Sequence, residues 1–172
     1  VTDYPAGEYG NHNCDAPLTL EESMYSAIQE LAPNASFVIF TGDVVEGAVW
    51  LVNETEVTND LNDAYNSRMA DYFDLVYGVT GNHDCAPVNS FPPADIDTTI
   101  SSQWAYDTLS SDWSQWIGST AASTADDYGA YSVKYSGGNL RLISFNTNFY
   151  YKENFWLYEN TMEKDPSGQL AW

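Results

Sequence analysis

Amphipathic stretches and short unbroken apolar runs alternate along this chain. "PLTLEESMYSAIQELA", residues 17–32, places Leu20, Met24, Ile28 and Leu31 on one helical face. Thr19 and Glu22 have capping-box spacing at its start, and Pro33 ends it. "FVIFTGD", residues 37–43, is too short for a helix and predicts a strand buried on both faces, ending at Gly42-Asp43. Val57, Leu61, Tyr65, Met69 and Tyr72 then recur at spacings of four, four, four and three, which predicts a second amphipathic helix over residues 55–73. "DLVYGVT", residues 74–80, is another short apolar run ending at glycine. Strand, helix and strand within so short a span predict a βαβ unit with parallel strands and a right-handed crossover.

Beyond that unit, "GNHDCAPVNSFPP" opens a loop from Gly81 to Thr99, and long ordered loops tend to be functional. A third helix is predicted over residues 101–117, burying Ala105, Leu109, Trp113 and Trp116. "YGAYSVKYSGGNLRLISFNTN" alternates on both sides of Gly137-Gly138. It predicts an antiparallel hairpin with Tyr131, Val133 and Tyr135 on one face of its first strand. Core packing is the expected place of Trp104, Trp113, Trp116 and Trp156, with a lipid-facing patch as the alternative. There is no internal repeat and no domain boundary, so residues 1–172 read as belonging to one domain.

Composition changes this picture in one respect. Five Lys and Arg stand against 25 Asp and Glu, a formal charge of −20. Repulsion disfavours a nucleic-acid polymer or an anionic membrane as partner. The charge falls as carboxylates protonate below about pH 4, which suits acidic surroundings. The 172 residues suffice for one core, and 44% hydrophobic content argues against disorder. No window resembles a transmembrane segment, and the opening "VTDYPAGEYG" has neither the basic nor the apolar region of a signal peptide. Asn34 and Asn53 begin glycosylation sequons, weak pointers to secretion. Cys14 is expected to pair with a cysteine outside this chain or with Cys85.

The chemistry resides in two strand endings. Asp43 follows the first strand and Asn82 the second, at the sheet edge where open α/β sheets bind ligands. A carboxylate can bridge two divalent cations while an amide oxygen adds a neutral ligand. Two such cations clamp a phosphate ester and lower the pKa of a bound water. His83 would contact a phosphate oxygen or protonate the leaving group.

"FTGD" followed by "GNHD" resembles the second and third motifs of the calcineurin-like metallophosphoesterases. "AGEYGNHNCDAPLTLEES", "GNHDCAPVNSFPP", "LRLISFNTNFYYKENFW" and "DPSGQLAW" are similar to the branch of acid sphingomyelinases and their secreted phosphodiesterase relatives, over nearly the whole chain. The resemblance implies an α/β fold, the α/β/β/α sandwich, of which the N-terminal half to two-thirds is present. It implies Asp43 as bridging ligand, Asn82 as ligand of the second metal, and His83 as the phosphate-contacting histidine. Two divalent ions, zinc as in the family, are implied as cofactors. Asn89 and Glu153 match residues near the substrate, Glu153 facing a choline head group; each has the alternative of ordering its loop.

The implied activity is hydrolysis of sphingomyelin to ceramide and phosphocholine by metal-bound hydroxide, in a secreted protein or in an acidic, lysosome- or vacuole-like compartment. Nucleotides or other phosphodiesters are the alternative substrates, and a truncated non-catalytic product is a further alternative. The family's Asp-x-His motif and later histidines are absent, so the sequence is expected to be an internal fragment, inactive alone. His12 reads as a surface histidine. Gly47 stands where animal members carry a histidine proton donor, which leaves His83 or Glu46 for that task, and Tyr150 stands where they carry a cysteine.

Overall fold

The computed structural model describes residues 6–161 and 163–172. Helix α1 spans Leu18–Leu31, strand β1 Val38–Phe40 and helix α2 Glu54–Asn62. Helical chain continues through a π segment, Asp63–Met69, and a last α turn, α3, Ala70–Tyr72, into strand β2, Val76–Gly78. β1 and β2 pair in parallel, with Val38 opposite Val76 and Phe40 opposite Gly78, as the βαβ reading requires. Helix α4, Gln103–Tyr128, leads to the antiparallel hairpin of β3, Tyr131–Lys134, and β4, Arg141–Ser144. Two 3-10 turns follow, Thr147–Tyr150 and Phe155–Tyr158.

The π segment follows from the spacing of four. On an α-helix with about 3.6 residues per turn, each step of four advances a side chain about 40° around the axis. Val57, Leu61, Tyr65 and Met69 would therefore spiral off the core within three steps. Widening the turn returns them, and all four are buried. The helix predicted as regular over 55–73 thus changes type midway to keep its stripe inward. At its start Asn53 accepts from the backbone N–H of Thr55 (2.9 Å) and Glu56 (3.2 Å), while Glu56 accepts from the Asn53 N–H (2.9 Å). The capping box forms here.

It does not form at α1. Pro17 is the N-cap, and the Thr19 hydroxyl donates to the Glu8 carbonyl. The helix is also rotated from its predicted face: Leu20, Met24 and Leu31 are exposed, and Tyr25 is the buried residue. The decisive contacts are aromatic. Tyr25 packs on Tyr72 and Phe73 at ring distances of 5.4 and 5.3 Å, and its hydroxyl donates to Glu21, which also receives Arg68.

β1 departs from its predicted burial too, since Ile39 is 59% exposed. Its partner on one edge is β2, and among the described residues no element covers the face that carries Ile39. Helix α4 runs beyond its predicted end at 117, breaking direction at Gly118 (φ 76°) and continuing to Tyr128. Trp113 is fully buried, edge-on to Tyr65 at 5.8 Å, whereas Trp104, Trp116 and Trp156 are half-buried. Both cysteines are free, Cys14 exposed and Cys85 buried, so they do not pair with each other.

The two sheets are separate ladders, joined through side chains: the Tyr131 hydroxyl (2.9 Å) and the Ser144 hydroxyl (3.0 Å) both donate to the Gly78 carbonyl. One large core gathers α2, the π segment, β2, α4 and Tyr131; a smaller cluster of Cys85, Phe91, Tyr106 and Phe149 lies beneath the loop after β2. Among the described residues no helix is long and apolar enough to cross a membrane.

Asp112 on α4 is a buried carboxyl in the main interface, 2% exposed. Asn66 donates to one of its oxygens at 2.6 Å, and the other has no partner among the described residues. Burial pushes its pKa up to about 6, against the lowering effect of Asn66. A carboxyl raised on folding is ionised first in the unfolded chain, so stability falls as pH rises through the interval between the two values. The protein is expected to lose about 2–3 kcal/mol between pH ~4 and ~7 through this group. Urea titrations across that range should show the loss, and Asp112→Asn should reduce its slope; an unchanged slope in the variant would assign the pH dependence elsewhere.

Candidate metal centre at the strand tips

The parallel ladder ends with the Val79 N–H donating to the Phe40 carbonyl at 3.0 Å, so both chains leave the sheet side by side. Gly42 (φ 84°) and Asp43 (φ 59°) take successive left-handed conformations, unusual for a non-glycine residue. The turn brings Asp43 against the second loop: its Oδ1 accepts the His83 backbone N–H at 3.0 Å. The contact allows no side chain on either glycine. A Cβ on Gly81 would lie 2.2 Å from the Asp43 nitrogen and from its Oδ1, and one on Gly42 would lie 2.3 Å from the Gly81 nitrogen.

Asp84 locks this arrangement. It is fully buried, and its carboxylate accepts three backbone N–H groups: Asp43 (3.1 Å), Val44 (2.9 Å) and Gly81 (2.7 Å). The donors come from both loops, so one side chain ties the two strand tips together. Burial raises its pKa to about 6, the three bonds opposing that rise. Sequence reasoning assigns Asp84 no role. The available signal was its position within "GNHDCAP", directly after the two candidate site residues.

Asn82 is half-buried, and its Nδ2 donates to Asn89 Oδ1 at 2.8 Å while its carbonyl accepts the Asn89 N–H at 3.1 Å. Asn89 itself sits at φ 62°. This pairing assigns the amide of Asn82: the NH2 group is engaged, and Oδ1 has no partner among the described residues. Asp43 and Asn82 line one open cleft of about 430 Å³ with Thr41, Thr147, Asn148 and Tyr151. The donor set there is an anionic carboxylate and a neutral amide oxygen, both suited to a divalent cation. No group of three or more His, Cys, Asp or Glu able to hold a metal occurs among the described residues. The two oxygens fit a metal centre as part of its ligand set.

The other candidates divide. His83 is half-buried beside Asp43, and Asn89 is drawn in through Asn82. Glu153 does not line this cleft; its ion pair is with neighbouring Lys152 at 3.5 Å. Glu46 is exposed and, with Asp43, lines an adjoining cleft of about 470 Å³; Gly47 donates its N–H to Asp15 at 2.9 Å. Tyr150 stacks on Phe145 (5.5 Å) and donates to Asp165 at 2.6 Å. Cys85 donates to the Ser90 carbonyl and burial raises its thiol pKa to about 12, so it is an inert packing group. Asn34 and Asn53 are exposed, and the cap at Asn53 uses Oδ1, leaving Nδ2 free.

Residues 18–168 match the model of the calcineurin-like phosphoesterases. The chain belongs to that family. Its members use divalent metal ions, and the mixed α/β unit seen here is a partial metallophosphoesterase fold. Among similar proteins, sphingomyelin phosphodiesterase of Homo sapiens is 36% identical over 170 residues, covering 97% of this chain and 26% of that protein. Sphingomyelin phosphodiesterase B of Dictyostelium discoideum is 32% identical, covering 100% of this chain and 26% of the relative. Cyclic GMP-AMP phosphodiesterase SMPDL3A of Mus musculus is 31% identical, covering 96% and 36%. This calcineurin-like chain thus spans about a quarter to a third of the length of the curated relatives it matches.

Proposed function

We propose that the full-length protein containing this chain is a secreted, metal-dependent phosphodiesterase that cleaves sphingomyelin to ceramide and phosphocholine. The observation that carries the reading is the shared cleft, which Asp43 and Asn82 line from two strand tips, with the Asn82 oxygen unpaired among the described residues and the Asp43 carboxylate engaged by the His83 N–H through one oxygen alone. Asp43 and Asn82 hold divalent metal, zinc by family resemblance, with further ligands from outside this chain. Bound metal neutralises phosphate charge and lowers the pKa of water at the site. The chain's own residues do the remaining work. Asn89 holds the amide of Asn82 so that its oxygen stays free, and the His83 N–H orients the Asp43 carboxylate. The His83 imidazole contacts a phosphate oxygen or gives a proton to the leaving oxygen. Glu46, which lines the adjoining cleft with Asp43, is the second candidate donor. The charge of −20 and two exposed sequon asparagines support an acidic or extracellular setting.

A second reading keeps the chemistry and changes the substrate to a nucleotide diester. It is favoured by a neighbouring cleft of about 360 Å³, lined by Phe149, Tyr151, Trp156 and Tyr158, that meets the first at Tyr150 and Tyr151. Aromatic walls of that kind stack bases. Sphingomyelin and cyclic GMP-AMP offered to the full-length protein side by side decide between the two. Asn82→Ala is expected to lower bound zinc and to slow turnover about 100-fold or more, and His83→Ala to slow turnover with zinc retained. Full turnover in Asn82→Ala would sink the site assignment.

A further inference from the structure

We propose that Asn148 is a positioning residue that fixes the peptide leading into Asn82. The inference rests on the reading of Asn82 as a metal-holding residue. Asn148 sits in the 3-10 turn after β4, is 4% exposed, and lines the same cleft as Asp43 and Asn82. Its Nδ2 donates to Asn146 Oδ1 at 2.9 Å and lies 3.4 Å from the Thr80 carbonyl and 3.3 Å from the Gly81 carbonyl. An amide NH2 has two hydrogens. One goes to Asn146, and the other is shared between the two carbonyls.

Gly81 is the residue that most needs such a hold. It lacks a side chain because Asp43 packs where a Cβ would be, and the same lack leaves its backbone free to rotate. Asp84 fixes its N–H side at 2.7 Å, and Asn148 fixes its carbonyl side. The first contact sets the Thr80–Gly81 peptide and the second the Gly81–Asn82 peptide, so together they fix the Gly81 backbone torsions and with them the direction in which the Asn82 side chain starts.

Asn148 is itself held rigidly. Asn146 Oδ1 accepts both its N–H (3.1 Å) and its Nδ2 (2.9 Å), and Asn154 Nδ2 donates to its carbonyl at 3.0 Å. Asn146 is gripped in turn by Gln169, which accepts its N–H at 2.8 Å and donates to its carbonyl at 3.1 Å, and its own Nδ2 donates to the Tyr128 carbonyl at 3.0 Å. Four amide side chains, each at most 4% exposed, form one chain of hydrogen bonds ending at the metal loop. Buried amides are costly as packing material. Their contribution is directional: every NH2 group named here donates at least once, and of their buried oxygens only Asn154 Oδ1 has no partner among the described residues, so few geometries satisfy the network.

Zinc titrations of the full-length protein against a chelating dye test this, with wild type, Asn148→Asp, Asn148→Ser, Asn82→Ala and the Asn82→Ala/Asn148→Ser double variant. Asn148→Asp turns an acceptor toward two carbonyls; Asn148→Ser keeps a shorter donor and serves if the first fails to fold. Zinc affinity is expected to fall about 10- to 100-fold in the single Asn148 variants. In the Asn82→Ala background, Asn148→Ser should lower it no further, because the two residues act through one another. Wild-type affinity in Asn82→Ala would refute the metal reading and this inference with it. Weakened affinity in Asn82→Ala with none in Asn148→Ser would refute this inference alone, as would a loss that adds in full in the double variant.

Discussion

Replacing Asp84 by alanine is expected to destabilise the protein by about 3–5 kcal/mol and to abolish the phosphodiesterase activity proposed for the full-length protein. The size follows from what the carboxylate does. It accepts three backbone N–H groups, one on Gly81 and two on the opposite loop at Asp43 and Val44. A buried donor left without a partner costs about 1–3 kcal/mol, and water entering the gap recovers part of that. The loss of activity has a separate cause. Without the staple the left-handed turn at Gly42-Asp43 is held across the loops by the single His83 N–H bond to Asp43, too little to oppose its intrinsic strain, and Asp43 swings from Asn82. Asp84→Asn should fall between: its oxygen still accepts, while its NH2 faces other N–H groups. Guanidinium titration and zinc content of both variants would show it, and an Asp84→Ala protein of wild-type stability and turnover would overturn the account.

The second large effect belongs to Gly81→Ala. The added methyl would sit 2.2 Å from the Asp43 nitrogen, a backbone atom with no freedom to move alone, and 2.2 Å from the Asp43 carboxylate oxygen. Overpacking of this sort costs about 1–3 kcal/mol. The cost to function is greater. Relief requires the two loops to part by about 1 Å, and misplacement on that scale lowers turnover about 100-fold. The signature should be a large fall in kcat with the fold intact by circular dichroism. A Gly81→Ala enzyme with normal kcat would show that the loops do not touch as described.

The βαβ unit was readable because its strands are short apolar runs closed by glycine and its helix repeats every fourth residue. The same repeat carried the π segment, yet a list of spacings does not say whether the helix or the stripe will yield. α1 was misjudged because Leu20, Met24 and Leu31 outnumber Tyr25 in a count of apolar positions. Tyr25 prevails through partners 47 and 48 residues away in sequence, Tyr72 and Phe73. At the site, Asp43, Asn82 and His83 were visible because glycine and polar residues end a buried strand abruptly. Asp84, Asn146, Asn148 and Asn154 were not, since such residues in loops look like turn formers. Burial separates the two roles, and burial here arises from contacts such as Gln169 to Asn146 that no local pattern encodes.

The oxygen of Gly78 receives two hydroxyls from the hairpin, three positions ahead of the glycine that abuts Asp43. A segment with no backbone rung to the parallel pair is thereby coupled mechanically to its tip. Any tilt of β3 and β4 pulls on the last residue of β2, and the hairpin acts as a lever whose short arm ends at the candidate metal edge.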